Sequence, residues 1–205
     1  MRPLLVTAGA TRNPVDAMRY LSAYSSGRTG SDLARGAAEG AHLLGNPEAL
    51  LRAPDVSGEA FGSTRDLLAR MHTWCVDHPR GVVVHAAAVG DYEAAEAAGK
   101  IPSGQAALQI TLRPTPKILD RIRSWSTELA IVSFKAAPPG SSPDDLVRIA
   151  DAQRRRTDSA LVFANTIGRL HSGLVLVDAQ GATHHDTRAD ATADLAHRVA
   201  VLRRA

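Results

Sequence analysis

One cysteine, Cys75, in 205 residues excludes an internal disulfide. No apolar run approaches membrane-spanning length and no secretory signal precedes the first strand, so the chain is expected in the cytoplasm without a membrane partner. Aromatic residues are scarce, at 4%. The formal charge is only +3, and the basic residues are scattered apart from Arg154-Arg155-Arg156, with no aromatics between them. A nucleic-acid partner is therefore not expected, although the isoelectric point is near 9.4. Internal repeats and low-complexity tracts are also missing. What is present, 44% hydrophobic and 22% charged residues, is ordinary globular composition, and the length suits a single domain over residues 1–205.

The most informative stretch comes first. Leu4-Leu5-Val6 is a short apolar run that stops at Thr7-Ala8-Gly9-Ala10-Thr11. Small residues at the carboxyl end of a strand let a ligand approach the backbone, and open α/β sheets bind ligands there. Ser25-Ser26-Gly27-Arg28-Thr29-Gly30 then precedes a helical pattern (Leu33, Ala34, Ala37, Ala38, Ala41) that predicts a helix over 30–41. Free N–H groups and the helix dipole make such a terminus attractive to anions. Arg12, Arg19 and Arg28 add forks suited to phosphate or carboxylate. A plain strand-to-helix turn with a serine cap would use the same residues, so the glycines alone do not decide between the two.

A second strand end follows. Gly81-Val82-Val83-Val84-His85 reads as a buried parallel strand that empties into Ala86-Ala87-Ala88-Val89-Gly90-Asp91-Tyr92. Three small residues and one acid could hold an amine, a hydroxyl or a hydrated metal, or Asp91 could simply cap a helix over 93–98. His85, inside the apolar run, reads as a core histidine, and Trp74 and Cys75 as core residues. Lys100 is the only lysine in the first half of an arginine-rich chain, which suits a point-charge phosphate contact.

The remaining pattern predicts a short second strand at 42–45, a loop with one helical turn over 47–62, and a helix over 63–78. Next come a strand at 107–112, a helix from Thr115-Pro116, and a strand at 129–134. A helix over 144–156, a strand over 159–164, a hairpin over 173–184 and a last helix over 189–203 complete the chain. This alternation predicts a three-layer, Rossmann-like α/β fold with a mainly parallel sheet and an antiparallel hairpin at one edge.

Taken in order, TAGATRNPVDAMRYLSAYSSGRTG, AAAVGDY, GKIPSG, TPKIL, IVSFK and VFAN resemble phosphopantothenoylcysteine synthetase over nearly the whole chain. The wording KIPSG…TPKIL…IVSFK is closest to the stand-alone form, with no decarboxylase domain expected before Met1. The resemblance implies a carboxylate-amine ligase using CTP or ATP with Mg2+. It implies that Gly9, Ser25, Gly27 and Gly30 cradle the nucleotide phosphates, that Phe134 and Asn165 meet base and sugar, and that Lys100 bears on the α-phosphate. Lys100 and Asp91 are then the catalytic candidates. Ala87, Ala88 and Asp91 would contact the pantothenate arm, as would the family's residue at the position of Ala23, and Arg19 would reach the phosphate of substrate in a partner subunit, implying a homodimer. Which residues ligate the metal is left open.

Two departures stand out. Ala23 occupies the place of the family's asparagine in its RY-[IL]-S-N-x-SSG segment and cannot make that side-chain hydrogen bond. Ala152 and Arg156 fall where bacterial forms carry the paired lysines that favour CTP. A divergent paralogue acting on another carboxylate, or a nucleotide-binding protein without turnover, would also carry Ala23. A nicotinamide-dependent oxidoreductase is the rival enzyme class. Against it, the first turn lacks G-x-G-x-x-G, 42–45 lacks the ribose-binding acid, and no Tyr-x-x-x-Lys pair occurs.

Overall fold

The structure, a computed structural model, describes residues 1–37, 39–95, 99–169 and 171–205. Its elements in chain order are β1 (Leu4–Ala8), β2 (Arg12–Pro14), β3 (Tyr20–Ser22), α1 (Arg28–Gly36), β4 (Ala41–Gly45), α2 (Pro47–Leu51), β5 (Gly58–Ala60), α3 (Thr64–Asp77) and β6 (Val82–His85). The second half holds β7 (Tyr92–Ala94), β8 (Leu112–Pro114), α4 (Ile118–Trp125), β9 (Ala130–Ala137), α5 (Pro143–Thr157), β10 (Leu161–Thr166), β11 (Leu174–Asp178), β12 (Gly181–His185) and α6 (Arg188–Leu202).

One 8-stranded sheet runs β12-β11-β10-β9-β6-β1-β4-β5. The six strands from β10 to β5 pair in parallel, and β11 and β12 add antiparallel at one edge. Alternate side chains of each parallel strand enter opposite layers, so the strands are apolar on both faces. Leu4, Val6 and Ala8 meet Leu33, Ala49, Leu195 and Val199 of α1, α2 and α6. Leu5, with Val83 and Ile131, meets Leu67, Met71, Cys75, Ile118 and Ile122 of α3 and α4. Leu146 and Ala150 of α5 cover Val162 and Val175. The expected three-layer fold with its edge hairpin is what forms. Cys75 is wholly buried, as a core residue should be, and burial pushes its thiol up to about 12. Among the described residues, no helix is long and apolar enough to cross a membrane.

Local differences from the pattern have tertiary causes. Residues 47–62 hold α2 and the edge strand β5, where a bare loop with one helical turn is expected; β5 is fixed by its register on β4 rather than by its own sequence. The arms β2 and β3 form a hairpin that the sequence pattern does not announce. At 92–94 the chain is extended, not helical, because β7 pairs antiparallel with β8, so Asp91 caps no helix there; residues 96–98 of that expected helix lie outside the described residues, as does Ala38 of the first helical pattern. The strand expected at 107–112 begins only at Leu112 for the same reason. The helix expected from Thr115-Pro116 starts at Ile118, with Lys117 at its N-cap, and β9 and β10 run on to Ala137 and Thr166.

Candidate functional site

The chain runs from β1 outward to β4 and β5 and then returns to β6 on the other side of β1. That reversal opens a crevice beyond the carboxyl ends of β1 and β6, the usual ligand position in such sheets. Here the two loops are laced together. Ala88 N donates to Gly9 O at 2.9 Å, Thr11 N donates to Ala88 O at 3.1 Å, and Ala87 N donates to Thr7 Oγ1 at 3.1 Å. Gly90 N donates to Thr11 Oγ1 at 2.9 Å. Beneath them Asn13, almost fully buried, accepts from Thr64 N at 2.8 Å and donates to Tyr92 O at 2.8 Å, so three loops share one polar staple.

Gly9, Gly27 and Gly30 converge at the start of α1. Gly9 (φ +89°) and Gly27 (φ +70°) occupy the left-handed region that glycine tolerates. A Cβ on Gly27 would lie 2.6 Å from Ala49 Cβ and 3.0 Å from Gly9 N, and one on Gly30 would lie 2.7 Å from Ala8 Cβ. The helix therefore begins almost against the end of β1. Gly27 is its N-cap, and no side chain caps that end, which leaves a dipole end suited to an anion. Ser25 Oγ accepts from Gly27 N at 3.4 Å and shapes the approach.

Two grooves flank this point. The first, of about 490 Å³, is lined by Arg12, Ala23, Ser25, Ser26, Asn46 and Arg52 among others. The second, of about 290 Å³, is lined by His85, Ala87, Asp91, Lys117, Phe134 and Gln153, with Lys135 and Arg156 at its edge. Asp91 is ion-paired there with Lys117. Gln153, nearly buried, donates to Ser133 Oγ at 3.0 Å and to Phe134 O at 3.1 Å, which fixes the backbone where Phe134 enters the groove. The Phe134 ring packs on Phe163 with centroids 5.0 Å apart. Arg156 pairs with Asp120. His85 is both core and lining: its Nδ1 lies 2.9 Å from Thr7 Oγ1, and burial pushes its pKa down to about 4, so the ring is neutral at neutral pH.

Of the sequence-derived candidates, the glycine set and Ser25 come together, and so do Ala87, Asp91 and Phe134. Ala88 serves the lacing between the loops. Lys100 is exposed on the 99–104 loop and lines neither groove, and Asn165 is the next-to-last residue of β10, where its side chain donates to Thr166 O at 3.4 Å. Arg19 pairs with Asp16 at 2.9 Å and donates to Ile101 O at 2.6 Å. Lys117 and Gln153 escape the sequence reading, although Lys117 sits inside the TPKIL run; a helix-start lysine after proline was the available signal.

The model of the DNA/pantothenate metabolism flavoprotein C-terminal domain matches residues 1–201. The chain belongs to that family. Among its relatives in the family, the Coenzyme A biosynthesis bifunctional protein CoaBC of Thermococcus kodakarensis is 37% identical over 171 residues, which cover 80% of this chain and 41% of that protein. The protein of the same name from Mycobacterium tuberculosis is 34% identical over 181 residues, covering 82% of this chain and 42% of that one. The chain thus spans about two fifths of these relatives. Two solved structures superpose closely. A DNA/pantothenate metabolism flavoprotein from Streptococcus pneumoniae gives a TM-score of 0.84 at 21% identity, covering 98% of this chain and 99% of that one. A Cab2 H337A mutant in complex with phosphopantothenate-cysteine gives 0.77 at 17% identity, covering 99% of this chain and 86% of that one. At these identities the likeness is one of fold.

Proposed function

We propose that the chain is a nucleotide-dependent carboxylate-amine ligase that joins 4′-phosphopantothenate to cysteine in coenzyme A biosynthesis. What carries this reading is the coincidence of family membership with a glycine-tightened, uncapped helix start at the switch point of the sheet. A carboxylate is a poor electrophile and must be activated. One of its oxygens attacks the α-phosphate of CTP or ATP, a bond to phosphorus forms, and pyrophosphate leaves with the electrons of the broken P–O bond. The cysteine amine then attacks the acyl carbon, the nucleoside monophosphate leaves, and the amine loses a proton. Gly9, Ser25, Gly27 and Gly30 cradle the phosphates, Phe134 and Asn165 meet the base and sugar, and Lys100 answers the charge developing at the α-phosphate. Ala87, Ala88 and Asp91 hold the pantothenate arm.

Among the described residues, no cluster of three or more His, Cys, Asp or Glu is placed to hold a metal ion. Mg2+ would arrive with the triphosphate, because magnesium keeps several waters and takes one or two carboxylates beside substrate phosphates; Asp91 and Asp120 are the carboxylates lining the second groove, paired with Lys117 and Arg156. Bound there it would neutralise phosphate charge. Pyrophosphate release from CTP or ATP in the presence of 4′-phosphopantothenate is the test; no release with either nucleotide would overturn the ligase reading.

One observation favours a second reading. Ala23 lies on the first groove and is exposed, so the family's amide contact is lacking where substrate would pass. A weakened synthetase gains from Ala23→Asn by one hydrogen bond, about 0.5–1.5 kcal/mol, seen as a several-fold to tenfold rise in product formation with cysteine. A relative refitted to another acid loses activity on that acid, because the larger side chain crowds the groove. A robust rate that Ala23→Asn leaves unchanged removes position 23 from either role.

The reading extends to a homodimer acting in the cytoplasm on small molecules. Met18, Tyr20, Leu21, Tyr92 and Leu112 are exposed on the two small ribbons β2-β3 and β7-β8, an apolar surface of the kind that partners cover. Arg19 lies between β2 and β3 and would reach a partner's substrate phosphate from there. Light scattering should give twice the chain mass, with Leu21→Asp shifting it to monomer and lowering activity. A fully active wild-type monomer would sink the dimer.

A further inference from the structure

Between β7 and β8 the chain carries a long stretch, 95–111, without helix or strand among its described residues. Loops of this length in compact domains usually serve function, and their residues need anchors if they are to be held in place. The anchors around Lys100 lie in the turn between β2 and β3. Asp16 Oδ2 accepts from Ile101 N at 2.9 Å. Arg19 Nη2 donates to Ile101 O at 2.6 Å. Ala17 N donates to Gly99 O at 3.4 Å. Both chain neighbours of Lys100 are thus pinned to one turn.

The centre of that turn is Asp16, whose side chain is fully shielded from solvent. Its Oδ1 accepts from Met18 N at 2.9 Å and Arg19 N at 2.8 Å, while Oδ2 takes Ile101 N and lies 2.9 Å from Arg19 Nη2. The bond from Ile101 leads the causes that hold this carboxyl below its usual range, followed by the Met18 and Arg19 amides and the Arg19 charge. A buried carboxylate with this many donors is stable only if they stay, so the turn and the loop hold one another. An asparagine here presents an N–H to one of those donors and breaks the set.

We propose that Asp16 is the positioning residue for Lys100: through Ile101 it holds the lysine loop, and through Arg19 it ties that loop to the arginine of the same turn. The inference rests on the assignment of Lys100 to the α-phosphate made above. It makes Asp16 act on the rate of the chemical step through Lys100; its other partner, Arg19, is the residue assigned above to the acid's phosphate, so KM for the acid can change as well, while KM for the nucleotide should not.

The test compares wild type, Asp16→Asn and Lys100→Gln, each as the full chain, by steady-state pyrophosphate release with 4′-phosphopantothenate, cysteine and nucleotide, and by hydrogen exchange at the Ile101 amide. Asp16→Asn is expected to lower kcat about 100-fold, the cost of a roughly 1 Å misplacement, with KM for nucleotide within about threefold. The Ile101 amide is expected to lose protection while the strands of the large sheet keep theirs. Asp16→Asn that retains kcat, or retains protection at Ile101, overturns the proposal, as does a change confined to KM. If Asp16→Asn does not fold, Ile101→Pro deletes the same hydrogen bond from the loop side, and a wild-type kcat in that variant overturns it equally. Lys100→Gln separates the two readings. A wild-type rate in Lys100→Gln removes the lysine from the site and with it the catalytic consequence proposed for Asp16. A slow Lys100→Gln beside a fast Asp16→Asn refutes the positioning role alone.

Discussion

Lys100→Gln is expected to lower pyrophosphate release by about 10²–10³-fold, equivalent to roughly 3–4 kcal/mol of transition-state stabilisation, and to leave thermal stability unchanged. The two halves of the expectation have different sources. Lys100 is exposed and on a loop, so its removal takes nothing from the core. Glutamine keeps much of the length of the side chain and its capacity to donate, but not the charge, and on the proposed reading it is charge that would answer the negative density developing on the α-phosphate as pyrophosphate leaves. Lys100→Arg is the informative companion. Arginine keeps the charge but spreads it over a planar fork in place of a compact ammonium. A partial rate in Lys100→Arg and a near-zero rate in Lys100→Gln would place the lysine at the phosphate. Equal rates in wild type and Lys100→Gln, measured by pyrophosphate release at saturating nucleotide, would take it out of the site.

The parts of this molecule that can be read from its sequence are those where a local pattern and the tertiary outcome coincide. Val82 to Val84 is buried on both faces, and a run of β-branched residues says so. The helix α5 has its acidic first turn at Asp144 and Asp145 and its apolar face at Leu146 and Ala150, visible in order, while the capping box of Ser142 with Asp145 emerges only in the structure. The hairpin of β11 and β12 has its turn residues in place. Elements whose existence depends on a partner are not legible in this way. Gly58–Ala60 is a strand only because β4 offers an edge, and Tyr92–Ala94, rich in helix formers around it, is extended because Leu112–Pro114 lies alongside. Short strands of three residues carry too little side-chain pattern to announce themselves.

The same distinction holds at the candidate site. Gly9, Gly27 and Gly30 were legible because close backbone approach demands glycine, and the demand shows in the sequence. Asp16 was not, because an aspartate before an arginine in a loop has many explanations. Its role comes from a contact with Ile101, 85 residues further on. Gln153 was hidden similarly: on α5 it reads as one polar residue among several, and only the packing of that helix on β9 turns its amide toward Phe134 O.

Gly27→Ala is expected to destabilise the protein by about 2–5 kcal/mol, and Gly36→Ala, in the same helix, to stabilise it by about 0.5–1 kcal/mol. At Gly27 two costs add. The left-handed backbone (φ +70°) disfavours any Cβ, and the added atom would lie 2.6 Å from Ala49 Cβ and 3.0 Å from Gly9 N. Neither neighbour is the flexible end of a long side chain: Ala49 is fully buried, and Gly9 N belongs to the backbone of the loop after β1. Relief therefore requires the start of α1 to move away from α2 and from the loop after β1. At Gly36 nothing lies within 4 Å of the added Cβ, and alanine favours the helix. For a chain of this size the loss at Gly27 corresponds to a fall in Tm of about 5–15 °C, read by calorimetry or circular dichroism. Movement of the helix start also withdraws its free N–H groups from the proposed phosphate position, so nucleotide KM should rise in whatever Gly27→Ala protein remains folded at 25 °C. An unchanged Tm would mean that α1 does not begin packed against Ala49 and the Gly9 backbone, and the anion cradle would lose the geometry on which the ligase reading depends.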